Sequence, residues 1–217
     1  MDVDVVKFKR PKKHNALDLD HLKEIYEDFE SCKNAVVIYG EPSFCSGIDL
    51  DYFKNAEEKE IEEFAELANS LILKICSYPK PVIAFVKGYA IGAGFSIALA
   101  CDSIIADENA IFSTGFAKLG IAPDMGVSYL LPRVIGLKKA LYLLMSAERI
   151  TAEKAYELGI VQSFGELEDA IKLAKELDGN SVKYIKELVY HELKKHVEKE
   201  MSLALMSIKE IRGQHDG

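Results

Sequence analysis

The stretch GYAIGAGFSIALACD, residues 88–102, carries the strongest local signal in this chain. Gly88, Gly92 and Gly94 interrupt an apolar run that follows a β-branched and aromatic segment at residues 81–86. The upstream segment predicts a buried strand, and the downstream FSIALA predicts the first turns of a buried helix. The glycines therefore lie where a strand is expected to turn sharply into a helix, since glycine permits backbone angles that other residues avoid.

A helix that begins at this turn would present unpaired N–H groups and the positive end of its dipole. Such a position suits an anion, or an oxygen that becomes anionic during a reaction. The alternative is packing, because glycine turns between strands and helices are also common structural devices. The stretch is not a phosphate-binding loop, because no Gly-Lys-Ser/Thr follows it, and its glycine order does not match a dinucleotide-binding fingerprint.

The composition predicts one domain with a full core, because 49% of the 217 residues are hydrophobic. A net charge of −8 without a basic stripe argues against a nucleic-acid partner. The N-terminal sequence lacks the apolar block of a signal peptide, and no apolar run reaches the ~20 residues of a membrane span. The four scattered cysteines predict reduced, mostly buried thiols in a cytoplasmic protein. The five histidines show no metal-ligand spacing, so no metal site is expected.

Strand and helix patterns follow each other along the whole chain. Strands are predicted at residues 3–9, 35–40, 81–86, 102–107, 110–113 and 160–164. Helices are predicted at residues 19–29, 64–75, 95–100, 137–145, 152–158 and 166–177, with a short helix broken by Pro132 and a long helix from residue 182 to residue 208. Asp18, Thr151 and Ser181 are the predicted N-caps. This order predicts an α/β fold with parallel strands, in which ligands bind at the carboxyl ends of the strands.

Five motifs occur in an order and spacing that match one family. They are PKKHNAL, FCSGIDL, KPVIAFVKGYAIGAGFSIALACDSIIADENAIFS, LGIAPDMGVSYLLPRVIG and ERITAEKAYELGIV. On these motifs, the chain resembles the enoyl-CoA hydratase/isomerase family, also called the crotonase family. The resemblance implies a spiral of β-β-α units over residues 1–164 and a helical oligomerisation or lid segment over residues 165–217. It also implies a homotrimer or a dimer of trimers, and a chain shorter at both ends than most members.

Members of this family bind an acyl-CoA thioester and hold its enolate with two backbone N–H groups. The resemblance assigns these groups to Ile48 and Ala93, and one such donor is typically worth about 3 kcal/mol in the transition state. Coenzyme A is then part of the substrate, and no separate cofactor is implied. The implied substrate contacts are Phe44, Ser46, Gly47, Asp49, Leu50, Gly92, Gly94 and Phe116.

The hydratases of this family use two glutamates, and the resemblance places those positions at Ser96 and Phe116. Water addition needs groups that activate the water and handle the α-proton, so the replacements argue against hydration. Asp124 stands where members that shift double bonds carry an acid, and its surroundings also resemble the ring-epoxide isomerases of phenylacetyl-CoA breakdown. The resemblance thus implies that Asp124 removes a proton from C2 of a 3-enoyl thioester and returns it to C4.

Three functions stay open at this point. The first is an enoyl-CoA isomerase that uses Asp124. The second is a hydratase or thioester hydrolase in which Ser96 or Asp124 holds the water, although Ser96 also suits simple packing. The third is a CoA-ester-binding protein without catalysis. Asp124 has an alternative role as a helix N-cap, which would lower its pKa, whereas an apolar pocket would raise it.

Overall fold

The computed structural model describes residues 2–213, and its strands form two sheets. The strands are β1 (Val3–Phe8), β2 (Ala35–Gly40), β3 (Val82–Val86), β4 (Tyr89–Ile91), β5 (Ser103–Ala106), β6 (Ile111–Ser113), β7 (Ile150–Thr151) and β8 (Ser163–Phe164). One sheet has the order β1-β2-β3-β5-β8 and is parallel throughout. The smaller sheet has the order β4-β6-β7, with β7 antiparallel to β6. The predicted α/β fold with parallel strands is confirmed.

Helices cover both faces of the larger sheet. They are α1 (Leu19–Ser31), α2 (Leu50–Asn55), α3 (Glu58–Ser77), α4 (Ala93–Ala100), α5 (Val127–Ile135), α6 (Leu137–Ser146), α7 (Ala152–Glu157), α8 (Leu167–Leu177), α9 (Val182–Tyr190) and α10 (Leu193–Gly213). Two short 3-10 turns lie at Pro11–Lys13 and Phe116–Leu119. The predicted division at residue 164 stays a prediction, and residues 1 and 214–217 of the two predicted units lie outside the described residues.

The central strand β3 is apolar at every position because both of its faces are covered. Val82, Ala84 and Val86 belong to the main core, to which α1, α3 and α4 contribute. Ile83 and Phe85 point to the other face and pack in a second cluster beneath α8. A continuous apolar run therefore marks a strand buried on both sides.

The predicted turn from β3 directly into a helix is wrong, because β4 lies between them. β3 ends at Val86, β4 runs in the smaller sheet, and α4 begins at Ala93. Gly88 and Gly92 make the two bends, with φ angles of 60° and 55°. A strand of three residues between two glycines is too short to show an alternating pattern. The chain thus bends at Gly88 into the smaller sheet and at Gly92 into the start of α4.

The C-terminal region also differs from its predicted form. The expected long helix is two helices, α9 and α10, that are separated after Tyr190. Ser181 occupies the predicted N-cap position of α9, but it has helical backbone angles and its side chain makes no capping bond. Apolar residues continue at helical spacing across the break, and the pattern therefore does not reveal it. The other two predicted caps are confirmed, since Asp18 accepts the His21 N–H and Thr151 accepts the Lys154 N–H.

Pro132 does not break its helix, contrary to the sequence interpretation. It lies inside α5, which continues to Ile135. An interior proline removes one backbone hydrogen bond and typically costs about 3 kcal/mol. The buried Val127, Leu130 and Leu131 offset this cost because they anchor the apolar face of α5 in the main core.

Three further expectations concern the cysteines, membrane-spanning helices and metal ligands. All four cysteines are free, and Cys45, Cys76 and Cys101 are buried. Within residues 2–213, no helix has the length and apolar character that a membrane crossing requires. The same residues contain no cluster of three or more histidine, cysteine or acidic side chains that could hold a metal ion.

Gly94 allows α4 to lie directly against the loop at Cys45. A Cβ at Gly94 would be 2.3 Å from the Cys45 carbonyl oxygen. We therefore expect Gly94→Ala to lower the free energy of unfolding by about 1–3 kcal/mol, despite the better helix propensity of alanine. Gly179→Ala is the matched control, because a Cβ there meets only the Leu177 carbonyl oxygen at 3.9 Å. Urea unfolding compares the two variants, and equal stability would contradict the close approach.

Candidate active site

An apolar cavity of about 230 Å³ lies between the two glycine-bearing loops, α3, the 3-10 turn at Phe116–Leu119 and α10. Its walls bring together most of the site residues that the sequence predicts. Those that line it are Ser46, Gly47, Ile48, Leu50, Gly92, Ala93, Phe116 and Asp124. The cavity therefore unites predicted site residues that lie far apart in the sequence, from Ser46 to Asp124.

The loop before α2 is held in place by backbone pairing on both sides of Ile48. Leu17 donates to the Gly47 carbonyl oxygen at 2.8 Å, and Asp49 donates to the Leu17 carbonyl oxygen at 2.7 Å. The Ile48 N–H between them has no partner within residues 2–213. Ala93 is the first residue of α4, and its N–H is likewise unpaired among those residues. Two backbone donors thus stand at the wall of one cavity, and one of them is at a helix N-terminus.

The two loops that carry these donors touch directly at Gly47. Its φ angle is 96°, and a Cβ there would be 2.9 Å from the Ile91 carbonyl oxygen. Cys45 pairs with β4 on the same side, donating to the Tyr89 carbonyl oxygen and accepting from the Ile91 N–H. Glycine at this position therefore lets the Ile48 loop lie against the start of α4.

Asp49 supports the loop and does not line the cavity. Its carboxylate caps α2 by accepting from the Asp51 and Tyr52 N–H groups, and it forms an ion pair with Arg10 at 3.0 Å. Burial by itself raises the pKa of Asp49. The two backbone donors, Lys13 and Arg10 nevertheless hold it below its ordinary value. Asp49 thus has a structural role in this loop, and its predicted substrate contact stays a prediction. α2 begins inside a segment that shows no helical pattern.

Phe44 and Gly94 also lie away from the cavity lining. Phe44 is fully buried, and its ring centroid lies 5.1 Å from that of Phe8 in the main core. The sequence assigned Phe44 to the substrate because it belongs to the loop motif, but its side chain points inward. Gly94 faces Cys45, as described above, and serves the packing of α4.

Asp124 is the one carboxylate among the described residues that line the cavity. It is 8% exposed, and both of its carboxylate oxygens lie within hydrogen-bond distance of the Asn69 side-chain amide, at 3.0 and 3.2 Å. The Met125 N–H also donates to it at 2.7 Å. Burial raises the pKa of Asp124 to about 6, although the bonds from Met125 and Asn69 act in the opposite direction. Its pKa is thus closer to neutrality than that of an ordinary aspartate.

Asp124 is not the N-cap of the following helix. α5 begins at Val127, and its N-cap position is Gly126. The backbone N–H groups of Gly126 and Ser128 donate instead to the carboxylate of Glu200, on α10. The sequence analysis missed Glu200 because it belongs to the polar pattern of a long helix. It also missed Asn69, which flanks the apolar stripe of α3 without any motif of its own.

The two positions that carry glutamates in hydratases provide no carboxylate here. Ser96 is fully buried on α4, lies outside the cavity lining, and donates to the backbone carbonyl oxygen of Asp124 at 3.4 Å. Phe116 presents its ring to the cavity. The cavity can therefore support chemistry by one acid and two backbone donors. A second buried acid is missing from its described walls.

The far wall of the cavity is apolar and includes the C-terminal helix of the same chain. Phe53, Ile61 and Phe64 come from α2 and α3, and Ala204 and Ile208 come from α10. The exposed cations Lys118 and Arg149 also border the cavity. Such a lining suits a hydrocarbon chain, with the polar end of the ligand beside the backbone donors.

Comparison with known proteins gives consistent matches. A family profile described as Enoyl-CoA hydratase/isomerase matches residues 1–215. A short-chain-enoyl-CoA hydratase of Clostridium acetobutylicum is 36% identical over 182 residues, which cover 81% of this chain and 70% of the relative. A 4-chlorobenzoyl coenzyme A dehalogenase of an Arthrobacter species is 32% identical, over 73% of this chain and 61% of the relative. The crystal structure of an enoyl-CoA hydratase from Bacillus halodurans has a TM-score of 0.85 at 28% identity, covering 96% of this chain and 92% of that chain.

We expect Asp124→Asn to stabilise the protein at about pH 8. The folded pKa of about 6 lies above the ordinary value of 3.8, so the cost of the buried charge is fully present above pH 6 and disappears towards pH 4. The neutral amide removes this cost, which is worth up to about 3 kcal/mol. Asp49→Asn is the control with the opposite sign, because the pKa of Asp49 is lowered. Urea unfolding near pH 8 and pH 4 tests both, and a less stable Asp124→Asn variant at pH 8 would refute the expectation.

Proposed function

The chain belongs to the enoyl-CoA hydratase/isomerase family, and we propose that within this family it shifts a double bond of an enoyl-CoA thioester. The family resemblance and the crotonase fold expected from the motifs are confirmed. The protein is thus an acyl-CoA enzyme of this family. The named relatives include hydratases and a dehalogenase, so the choice of reaction rests on the residues of this chain.

The observation that carries the proposal is a cavity with two unpaired backbone donors and one buried carboxylate. The N–H groups of Ile48 and Ala93 receive the thioester oxygen. Asp124 takes a proton from C2 of a 3-enoyl thioester, and the electron pair moves into the thioester to give a dienolate, whose oxygen the two donors stabilise. The protonated Asp124 then returns the proton to C4, the double bond moves to C2–C3, and no water or second acid is consumed.

The apolar surroundings favour this use of Asp124. Burial brings its pKa to about 6, so the carboxylate is ionised at neutral pH and its conjugate acid can still release the proton. Phe116 stands where the family resemblance places a glutamate of the hydratases, and as part of the cavity lining it makes the site apolar and helps to exclude water from the enolate. The same low polarity strengthens the hydrogen bonds from Ile48 and Ala93.

Hydration is the second candidate, because several similar proteins are named as hydratases. In that reaction, Asp124 alone would have to activate the water and handle the α-proton. Ser96 offers no help, since its hydroxyl is turned to the Asp124 backbone and lies outside the cavity lining. Thioester hydrolysis would also require Asp124 to activate the water without help from Ser96. The remaining alternative is a protein that binds a CoA ester without catalysis.

We further propose that the protein forms a homotrimer or a dimer of trimers in the cytoplasm. Exposed apolar side chains on α6 and α9 support an oligomer, among them Leu137, Met145, Tyr184 and Leu188. The free thiols support a reducing compartment. Coenzyme A enters as part of the substrate, and the proposed chemistry requires no metal or separate cofactor.

The decisive experiment offers the purified protein a 3-enoyl-CoA and a 2-enoyl-CoA in separate assays. We expect the 3-enoyl substrate to isomerise and Asp124→Asn to lower kcat by about 10²–10⁴-fold while the CoA ester still binds. Ser103→Ala is the matched control and should retain isomerisation, because Ser103 is buried on β5 and lies outside the cavity lining. Rapid hydration of the 2-enoyl substrate would refute the isomerase assignment. Binding without any turnover would favour the non-catalytic alternative.

The length of the acyl chain should depend on α10. Ala204 is buried and lines the cavity, so Ala204→Leu would fill part of its far end. We expect kcat/KM to fall by about tenfold or more for the longest 3-enoyl-CoA accepted, and much less for the shortest. Leu203→Ala is the control, because the neighbouring Leu203 is exposed. A uniform loss over all chain lengths would contradict an acyl wall at Ala204.

A further inference from the structure

Behind Asp124 lies a second buried carboxylate that the proposed reaction does not use. Glu200 belongs to α10, is 5% exposed and does not line the cavity. It accepts hydrogen bonds from the Gly126 N–H at 2.5 Å, from the Ser128 N–H at 2.8 Å and from the Ser128 hydroxyl. A carboxylate with three donors, all from the start of α5, is bound to one place in the fold.

These bonds give α5 an N-terminal cap from another helix. Gly126 is the N-cap residue, and glycine has no side chain that could accept the free N–H groups. The Glu200 carboxylate supplies the acceptor and places a negative charge at the positive end of the helix. The nearest alternative acceptor along the chain is Asp124, which stands two residues before Gly126.

The turn between Asp124 and α5 has an uncommon backbone. Met125 and Gly126 both have left-handed angles, with φ of 59° and 75°. A non-glycine residue such as Met125 keeps this conformation only where its surroundings hold it. Asn69 binds the carboxylate on one side of the turn, and Glu200 binds the backbone on the other.

We propose that Glu200 is a positioning residue, whose carboxylate clamps the Asp124–Gly126 turn and occupies the N-terminus of α5, so that the Asp124 carboxylate faces the cavity. This role rests on the proposed isomerase function. Without the clamp, Asp124 is the carboxylate next to the vacated helix start, and a side chain drawn there would leave the substrate.

The Glu200 carboxylate lies among several titratable and charged groups. Burial raises the pKa of Glu200 to about 7, against the bonds from Ser128 and Gly126, and the charge of Asp124 adds to the increase. His196 on α10 faces the same carboxylate at 3.7 Å, and burial, Arg133 and Lys199 lower its pKa. The His196 Nε2 also lies 3.0 Å from the Ser128 Oγ, so the carboxylate, the hydroxyl and the imidazole meet at the start of α5.

The test compares wild-type protein with Glu200→Gln, which keeps the size of the side chain and removes its charge. We expect kcat for a 3-enoyl-CoA to fall about tenfold or more with little change in KM, because a displaced base impairs the chemical step. The acid limb of the kcat/KM profile should also move to lower pH, because a displaced Asp124 carboxylate loses the burial that raises its pKa. A purely structural role would lower the melting temperature and leave the position of this acid limb unchanged.

Glu198→Gln is the matched control, because Glu198 is exposed on the same helix and should behave as wild type. Ser128→Ala serves if Glu200→Gln does not fold. It removes one donor and keeps the charge, and kcat should fall, by less than in Glu200→Gln, at unchanged KM. Wild-type kinetics in either folded Glu200→Gln or Ser128→Ala would overturn the proposal.

A readout without substrate separates this inference from the proposed function. The carboxyl-carbon NMR signal of Asp124 should titrate at lower pH in Glu200→Gln than in wild type, because the displaced carboxylate is no longer buried. Identical titration curves would overturn the link between the two carboxylates. If the curves differ as expected and the wild-type protein does not isomerise a 3-enoyl-CoA, the proposed function fails and the coupling of Glu200 to Asp124 stands.

Discussion

The site depends on the close approach of the Cys45–Ile48 loop to the start of α4. Backbone pairing with β4 and the absence of a side chain at Gly94 allow this approach, since a Cβ there would overlap the Cys45 carbonyl. The positions of both donors proposed for the oxyanion follow from this contact, because Ile48 ends one side of it and Ala93 the other. Their spacing is therefore set by main-chain packing in the core, which does not have to reorganise during a reaction.

Asp124 is held in place by side chains, whereas the two backbone donors are held by main-chain packing. Asp124 lies on a left-handed turn outside any sheet and is buried against an apolar wall that raises its pKa. Its position depends on side chains from two helices, Asn69 from α3 and Glu200 from α10. A helix start that already has a carboxylate leaves Asp124 available for the ligand. α10 thereby contributes both to the apolar wall of the cavity and to the turn that carries Asp124.

Features with a local cause could be predicted from the sequence. The strand at residues 35–40 and the caps at Asp18 and Thr151 each follow from neighbouring residues. The position of Phe44 could not, because a loop motif does not say which side chains point inward. The role of Glu200 could not be predicted from the sequence for a related reason. It acts on a helix more than 60 residues earlier in the chain (200 − 135 = 65), and only the fold brings the two together.

In the proposed function, the number of acids in the cavity distinguishes isomerisation from hydration. An intact pair of backbone donors serves any member that passes through a thioester enolate, so Ile48 and Ala93 do not distinguish hydration from isomerisation. Water addition needs one carboxylate to activate the water and another to handle the α-proton. The transfer of one proton from C2 to C4 needs only a single acid, which first accepts the proton and then returns it. With Ser96 turned to the backbone and Phe116 against the cavity, the described walls keep Asp124 alone for that work.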